Sequence, residues 1–507
     1  MVGYYSEGGL YWRPLGGNNI DQISGHCYQY TDVKKTQTSI EASTIIIDLG
    51  KFDNHQALGI KNSAAAVPDI RELLHDAFLQ PIAIFLTHSH PDHLNGIVHY
   101  IKAGFSLPTL YGGKYTQLIL NDLYKEYDID TSLQPKFNII KSGDVIKSGS
   151  IKLEVISSSH TCFDSFGFII TNHQNISVYH TGDMKIDDSL CFRKPTDIKR
   201  LSKLSSKIKF CVADFYGVAD DGFATKETDT YKTLVKLINS TQKDNILIPI
   251  YPTHAEMYLI AFLAALKTKC NIIFYGNKDF YGYLKLIKNY GIDFEKIAKN
   301  RASIQIGVSE YISNLTKKTA IIGTFNDLAN DFLLSEKNCF GIITSGTFFN
   351  PLRGQLNARN IPFTDTKKYP QLQGCGHAFW GDIEKLGKII TKATFIPTHC
   401  PRYIIDECRD LAKISNINIA TPTPQNNYIY KFDKNGYYEV AKNPATWLVV
   451  SYENNKAKFT EVWQRPTSGA GFLKRTLSKR RCINKFKIMI HRRLNKDKTN
   501  DFRKICK

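Results

Sequence analysis

The 507-residue chain has eleven cysteines and no CxxC pair among them. That excludes a zinc ribbon and a thioredoxin-type redox motif, and the scatter from Cys27 to Cys506 is unlike a disulfide framework. Cysteine is therefore expected to be reduced, and metal ligation to fall on nitrogen and oxygen. Long apolar runs are missing too: the longest, "YLIAFLAAL", falls far short of the roughly 20 residues that a membrane span needs. The opening "MVGYYSEGGLYWRPLGG" has no basic segment followed by an apolar one. A cytoplasmic protein without a membrane span is the expectation.

Acidic residues are scarce, 47 against 66 Lys and Arg, and the resulting +19 is unevenly placed. From Lys474 to Lys507 fourteen Lys or Arg face only Asp497 and Asp501, so this tail holds a net +12 and the rest of the chain +7. Ile483, Phe486, Ile490 and Leu494 recur there at roughly helical spacing, the pattern of an amphipathic basic helix. Such a helix suits RNA, the preferred reading, but equally acidic lipid, or it is simply a solvated face.

What is present is a globular composition, 42 % hydrophobic over a length that implies two or three domains. Strands are read at "STIIIDLG", "PIAIFLT", "IKLEVISSS" and "NISVYHTGD", each Ile- or Val-rich and ending at a polar cluster. From about Phe215 to Gly354 the character changes. "DNILIPIY", "HAEMYLIAFLAALKTK" and "CNIIFYG" read as strand, helix and strand of a parallel sheet. "DIEKLGKIITKATFIPTH" returns to helix and strand, and "NNYIYKFDKNGYYEVA" is a hairpin turning at Asn435-Gly436.

The densest signal is "LTHSHPDHLNG", which packs His88, His90, Asp92 and His93 into six positions after a buried strand. His88 and His90, two apart, can face one cation while Asp92 and His93 turn to a second. One loop cannot complete two coordination spheres, so further ligands are expected at other strand ends. "EVISSSH" supplies His160, "ISVYHTGD" supplies Asp183 and "ATFIPTH" supplies His399. Seven nitrogen and oxygen donors without sulfur match a two-metal hydrolytic centre with a bridging carboxylate, for which zinc is suited and manganese is also allowed.

"HSHPDH", "SSSHTCFDSFG" and "VYHTGDMKID" together resemble the metallo-β-lactamase fold, and the later segments resemble its β-CASP nucleases, most closely ribonuclease J. The resemblance covers roughly residues 10 to 440. It implies an α/β, αββα sandwich with residues 1–214 and 355–440 as its two parts. An inserted β-CASP α/β domain occupies 215–354, and 441–507 form a small extension with the basic tail. It further implies two Zn2+ ions: His88, His90 and His160 on one, Asp92, His93 and His399 on the other, Asp183 bridging. Asp48 would be an early structural aspartate, His377 of "GCGHA" would lie beside the scissile phosphate, and Asp214 of "VADFYG" would orient it. Gln373, Gly374, Cys375, Gly376 and His377 would grip the terminal phosphate of single-stranded RNA.

The implied activity is hydrolysis of RNA from a 5′ monophosphate end, with internal cutting in reach. A β-CASP DNA nuclease and an RNA-binding relative with a decayed centre are the alternatives, and a homo-oligomer is left open. Departures from the family pattern fall on substrate contacts: Asn95, Cys375, Cys400 and Pro401, a missing His-Arg pair after "DNILIPIY", and "IIGTFNDLAN" in place of a Gly-rich loop. His254 and Lys278 stand nearby as candidate replacements. The family's C-terminal dimerisation domain is expected to be absent or shrunken, with "TWLVVSYENNKAKFTEVW" and the tail in its place.

Overall fold

Alternating apolar residues with both faces buried mark the strands that build the centre of the molecule. In Ile40–Ile47, Ile45 and Ile47 join one core and Ile46 the other; in Pro81–Phe85, Ala83 and Phe85 take the first side and Ile84 the second. The computed structural model describes residues 2–18, 24–52, 65–189, 194–299, 301–307, 318–324, 327–328, 338–344, 350–443, 446–463 and 483–493.

Two sheets face each other. The first, of eight strands, runs in the order Tyr437–Ala441, Ile429–Phe432, Gly9–Gly16, Cys27–Lys35, Ile40–Ile47, Pro81–Phe85, Thr109–Gly112 and Phe137–Ile139. The second, of seven, runs Asn418–Ile419, Thr394–Thr398, Ile208–Asp214, Ser177–His180, Phe166–Thr171, Ile151–Ser157 and Val145–Ser148. Trp12, Tyr30, Ile45 and Phe85 interleave with Val155, Phe168, Val178 and Val212 between them. Helices cover the outer faces, Gly96–Lys102 and Lys114–Glu126 on the first side, Trp380–Ile389 and Arg402–Ile414 on the second. This is the α/β metallo-β-lactamase sandwich. The expected hairpin is there too, closed by Asp433 N–H donating to the Gly436 carbonyl at 3.0 Å.

Between Asp214 and Thr394 the chain builds a third sheet, wholly parallel, in the order Ile304–Ile306, Asn271–Tyr275, Thr319–Thr324, Asn245–Ile250, Cys339–Ile342 and Phe363–Thr364. The strand-helix-strand read at "DNILIPIY" to "CNIIFYG" is present, with Thr319–Thr324 intercalated between its two strands. The apolar run around Leu259 is the buried helix Ala255–Lys267, and no helix of the described residues is long and apolar enough to cross a membrane.

Two C-terminal features were not foreseen. Thr446–Glu453 pairs antiparallel with Ala65–Pro68 as well as with Lys456–Trp463, so the extension is stitched to the N-terminal third of the chain. The basic segment is helical over 483–493, and its apolar side is not free: Phe486 and Met489 are buried in the core formed with Trp380–Ile389 and Arg402–Ile414. Arg493 donates to Glu384 at 2.8 Å and to Asp221 at 3.1 Å, Arg492 lies 3.5 Å from Asp221, and Lys485 pairs with Asp220. Charge and shape thus dock this helix on its own protein, which removes the apolar face a lipid surface would need. Leu494 lies outside the described residues. Replacing Phe486 by Ala empties that buried position at a cost of about 3–5 kcal/mol, so trypsin should cleave after Lys485 and Lys487 on the order of a hundredfold faster or more. Unchanged cleavage would mean the helix is not docked.

Candidate metal centre

Because parallel neighbours end on the same side, the chain leaves several strands at one edge of the sandwich, and polar residues placed just after them share one space. Pro81–Phe85 leads to His88, His90, Asp92 and His93; Ile151–Ser157 to His160; Ser177–His180 to Asp183; Thr394–Thr398 to His399; and Ile208–Asp214 ends on Asp214 itself. Pro91 and Asp92 begin a single helical turn, Pro91–Leu94, that brings His93 round toward His88, ring centroids 4.0 Å apart.

All seven residues read as ligands come together. His88 Nε2 and His160 Nε2 each lie 3.1 Å from His90 Nδ1. Asp183 Oδ2 is 4.0 Å from His88 Nε2, 3.8 Å from His160 Nε2 and 3.3 Å from His93 Nε2, while its Oδ1 is 3.2 Å from His399 Nδ1. The carboxylate therefore lies between the two trios, where a bridge belongs. His93 Nε2 lies 3.8 Å from Asp92 Oδ2.

The far sides of these rings are pinned by fixed partners. His160 Nδ1 donates to the Gly376 carbonyl at 2.8 Å. Thr87 gives its hydroxyl proton to Asp48 Oδ2 at 2.8 Å and so accepts from His88 Nδ1 at 2.9 Å; His93 Nδ1 donates to the same Asp48 oxygen at 2.8 Å. These partners set the tautomers of His88 and His160, leaving their Nε2 atoms bare, and fix the Nδ1 proton of His93. Burial first, then neighbouring imidazoles, hold His88, His90 and His160 well below the usual histidine range, so they are neutral at pH 7. The 3.1 Å separations from His90 Nδ1 are near those of donors about 2.1 Å from one ion.

On the other side burial works against charge, but the carboxylates prevail. Asp183, Asp92 and Asp48 raise His93 well above its ordinary value, and Asp183 and Asp214 raise His399 to about 10. His93 Nε2 and His399 Nδ1 are nonetheless buried without a well-formed hydrogen bond. Unpartnered ring nitrogens converging on carboxylate oxygens are the donor set a divalent cation takes, so the residues fit a pair of cations.

His377 lies alongside. Its Nδ1 donates to Asp214 Oδ2 at 2.8 Å, its ring is 5.1 Å from His160 and 4.9 Å from His399, and its side chain is 19 % exposed, reachable from outside. Burial opposes the Asp214 carboxylate, yet the contacts with His377 and His399 keep it below its usual range. Gly376 must be glycine: an added Cβ would lie 2.5 Å from His160 Nδ1. Gly374 donates to the Thr344 carbonyl at 3.3 Å and approaches Met257 of the inserted region. The Cys375 thiol contacts the His377 carbonyl, and Gln373 closes the short turn Pro370–Leu372.

Three neighbours escaped the sequence reading as members of the site. His26 enters from the beginning of Cys27–Lys35, a strand antiparallel to Ile40–Ile47, so a residue before it reaches the edge where the others end. Tyr216 is 43 % exposed and sets its ring 4.6 Å from His377 and 4.9 Å from His399. His254, only named as a replacement, stacks at 6.2 Å over His90 from the inserted region, so that region closes on the centre.

Residues 65–198 match the family model described as a Beta-lactamase superfamily domain. Ribonuclease J of Mycobacterium tuberculosis (strain ATCC 25618 / H37Rv) is 26 % identical over 240 residues, 46 % of this chain and 39 % of that protein. Ribonuclease J of Mycolicibacterium smegmatis is 22 % identical over 281 residues, 55 % and 46 % of the two chains. Ribonuclease J 2 of Staphylococcus aureus (strain NCTC 8325 / PS 47) is 26 % identical over 216 residues, 42 % and 35 %. The chain thus spans less than half the length of these relatives. Among solved structures, a protein of unknown function from Enterococcus faecalis V583 superposes with a TM-score of 0.55 at 17 % identity, covering 85 % of this chain and all of that one. With this sandwich and these matches, the chain carries a β-lactamase superfamily domain on a metallo-β-lactamase fold and resembles ribonuclease J.

Proposed function

We propose that the protein is a metal-dependent phosphodiesterase acting on single-stranded RNA, of ribonuclease J type, trimming from the 5′ end and able to cut internally. The observation that carries the proposal is the gathering of all seven donors at one edge, Asp183 between the two trios, with the His377–Asp214 pair beside them. In this reading His88, His90 and His160 hold one cation, Asp92, His93 and His399 the other, and Asp183 both, with zinc preferred on an imidazole-rich set. Bound there, the pair would supply a water acidic enough to attack at neutral pH and positive charge for the phosphate oxygens. On this account the β-CASP domain starts at 215 and runs past the 354 read from the sequence, because Phe363–Thr364 belongs to the inserted sheet; 1–214 and the residues from there to 440 are the two parts of the sandwich, and 441–507 the extension.

The chain's own groups then divide the work. Asp48 and the Gly376 carbonyl hold His93, His88 (through Thr87) and His160 in the ligating tautomer. His377, fixed at Nδ1 by Asp214, keeps its other ring nitrogen for a phosphate oxygen, or for delivering a proton to the leaving 3′ oxygen when the ring is charged. Gln373, Gly374, Cys375 and Gly376 line the approach to it, and Tyr216 offers an aromatic face on which a base can stack. The inserted domain, reaching the centre through His254 and Met257, narrows the cleft toward a single strand. The RNA assignment leans on the ribonuclease J relatives and the "HTGDMKID" wording; a DNA nuclease shares the same chemistry.

Purified protein should degrade 5′-monophosphorylated RNA faster than 5′-triphosphorylated RNA, 5′-hydroxyl RNA or single-stranded DNA, with end-labelled products revealing direction. Asp92→Ala should abolish the activity, and His377→Ala should lower kcat about 10²–10⁴-fold while leaving bound metal in place. Preference for DNA would overturn the RNA assignment, and activity unchanged by Asp92→Ala would overturn the catalytic one. Gly376→Ala should destabilise the metal-free protein by roughly 1–3 kcal/mol in urea, because His160 must shift.

A further inference from the structure

His26 belongs to the cluster, yet no role above uses it. Its side chain is 2 % exposed, its ring lies parallel to His93 at 4.0 Å with 12° between planes, and it meets His399 edge-on at 4.3 Å. Its Nε2 lies 3.7 Å from Asp92 Oδ2 and makes no hydrogen bond. The ligand atoms of His26, Asp92 and His399 all lie within 4.8 Å of one another, and so do those of His26, His93 and Asp183.

Behind the ring, the Tyr28 hydroxyl lies 2.8 Å from His26 Nδ1, placed to accept its proton. That leaves the lone pair of Nε2 bare and buried against a carboxylate oxygen, a repulsive arrangement that a cation between them turns into ligation. Two donors about 2.1 Å from one five-coordinate ion lie about 3.0–3.6 Å apart, close to the observed 3.7 Å. The main chain reinforces the placement: His26 N–H donates to the Asp92 carbonyl at 2.7 Å, and Gly50 N–H to the His26 carbonyl at 3.0 Å.

We infer that His26 is an eighth ligand of the centre, giving Nε2 to the second cation beside Asp92, His93, Asp183 and His399. The inference rests on the dinuclear reading above and adds to it. The second cation has five protein donors where the first has four, and Tyr28 is the positioning residue that holds the added imidazole in its ligating tautomer.

Zinc competition with a chromophoric chelator on the full chain tests it. His26→Asn should keep the first zinc and bind the second at least tenfold to a hundredfold more weakly, and Tyr28→Phe should weaken the second about tenfold. Two zincs bound by His26→Asn at wild-type affinity would overturn the inference. Should that variant fail to fold, anomalous diffraction from zinc-loaded wild-type crystals decides the matter. An ion about 2.0–2.1 Å from His26 Nε2 supports it. Two ions on the other seven residues, each roughly 3 Å or more from that atom, would sink the inference and leave the dinuclear reading standing; no zinc in the wild-type protein would sink both.

Discussion

Buried lone pairs of like kind, aimed at one another across about 3 Å, are the constraint on which this molecule turns. His88 and His160 converge on His90 with their protons fixed on the far side, the bare His26 Nε2 faces Asp92, and His93 and His399 lie against Asp183. Hydrophobic burial elsewhere has to outweigh that repulsion, because unsatisfied polar groups away from water are costly. A cation removes the conflict at a stroke: it screens the lone pairs from one another and replaces the protons that the carboxylates otherwise hold on His93 and His399.

The fold exists, in this light, to hold strand ends level. Two sheets packed through Trp12, Phe85, Phe168 and Val212 deliver their chain exits to one edge, and the helices outside keep those exits from moving. The hydrogen bonds that Asp48 and the Gly376 carbonyl accept from Nδ1 of His93 and of His160 then orient those two rings. Gly376 couples the two levels, since the loop that carries His377 also supplies the acceptor that orients His160. The inserted sheet adds reach to this rigid base, bringing His254 over His90 and tying Tyr290 to Asp164 at 2.9 Å.

Much of this could be read in the linear chain, for a physical reason. Ligands that follow a strand are marked twice, by an apolar run and by the polar residue after it, so His88, His160, Asp183 and His399 announced themselves. His26 precedes its strand, and "SGHCYQY" looks like any turn; only the antiparallel pairing of Tyr28 with Ile47 carries it to the site. Tyr216 is one residue of "FYG" until Asp214 and His399 fix where that loop passes. The tail was legible as an amphipathic helix, but its destination was not. The acidic surface that receives it comes from Asp220, Asp221 and Glu384, more than 100 residues away in sequence. The stitching of Thr446–Glu453 to Ala65–Pro68 was hidden likewise, since strand pairing across such a separation leaves no local trace.

The account stands or falls on cations at the shared edge, so metal content addresses it most directly. Inductively coupled plasma mass spectrometry of dialysed protein should find two divalent ions per chain, zinc or manganese, and stripping them with a chelator should lower the melting temperature. Protein that retains no stoichiometric ion, with a melting temperature that a chelator leaves unmoved, would contradict it.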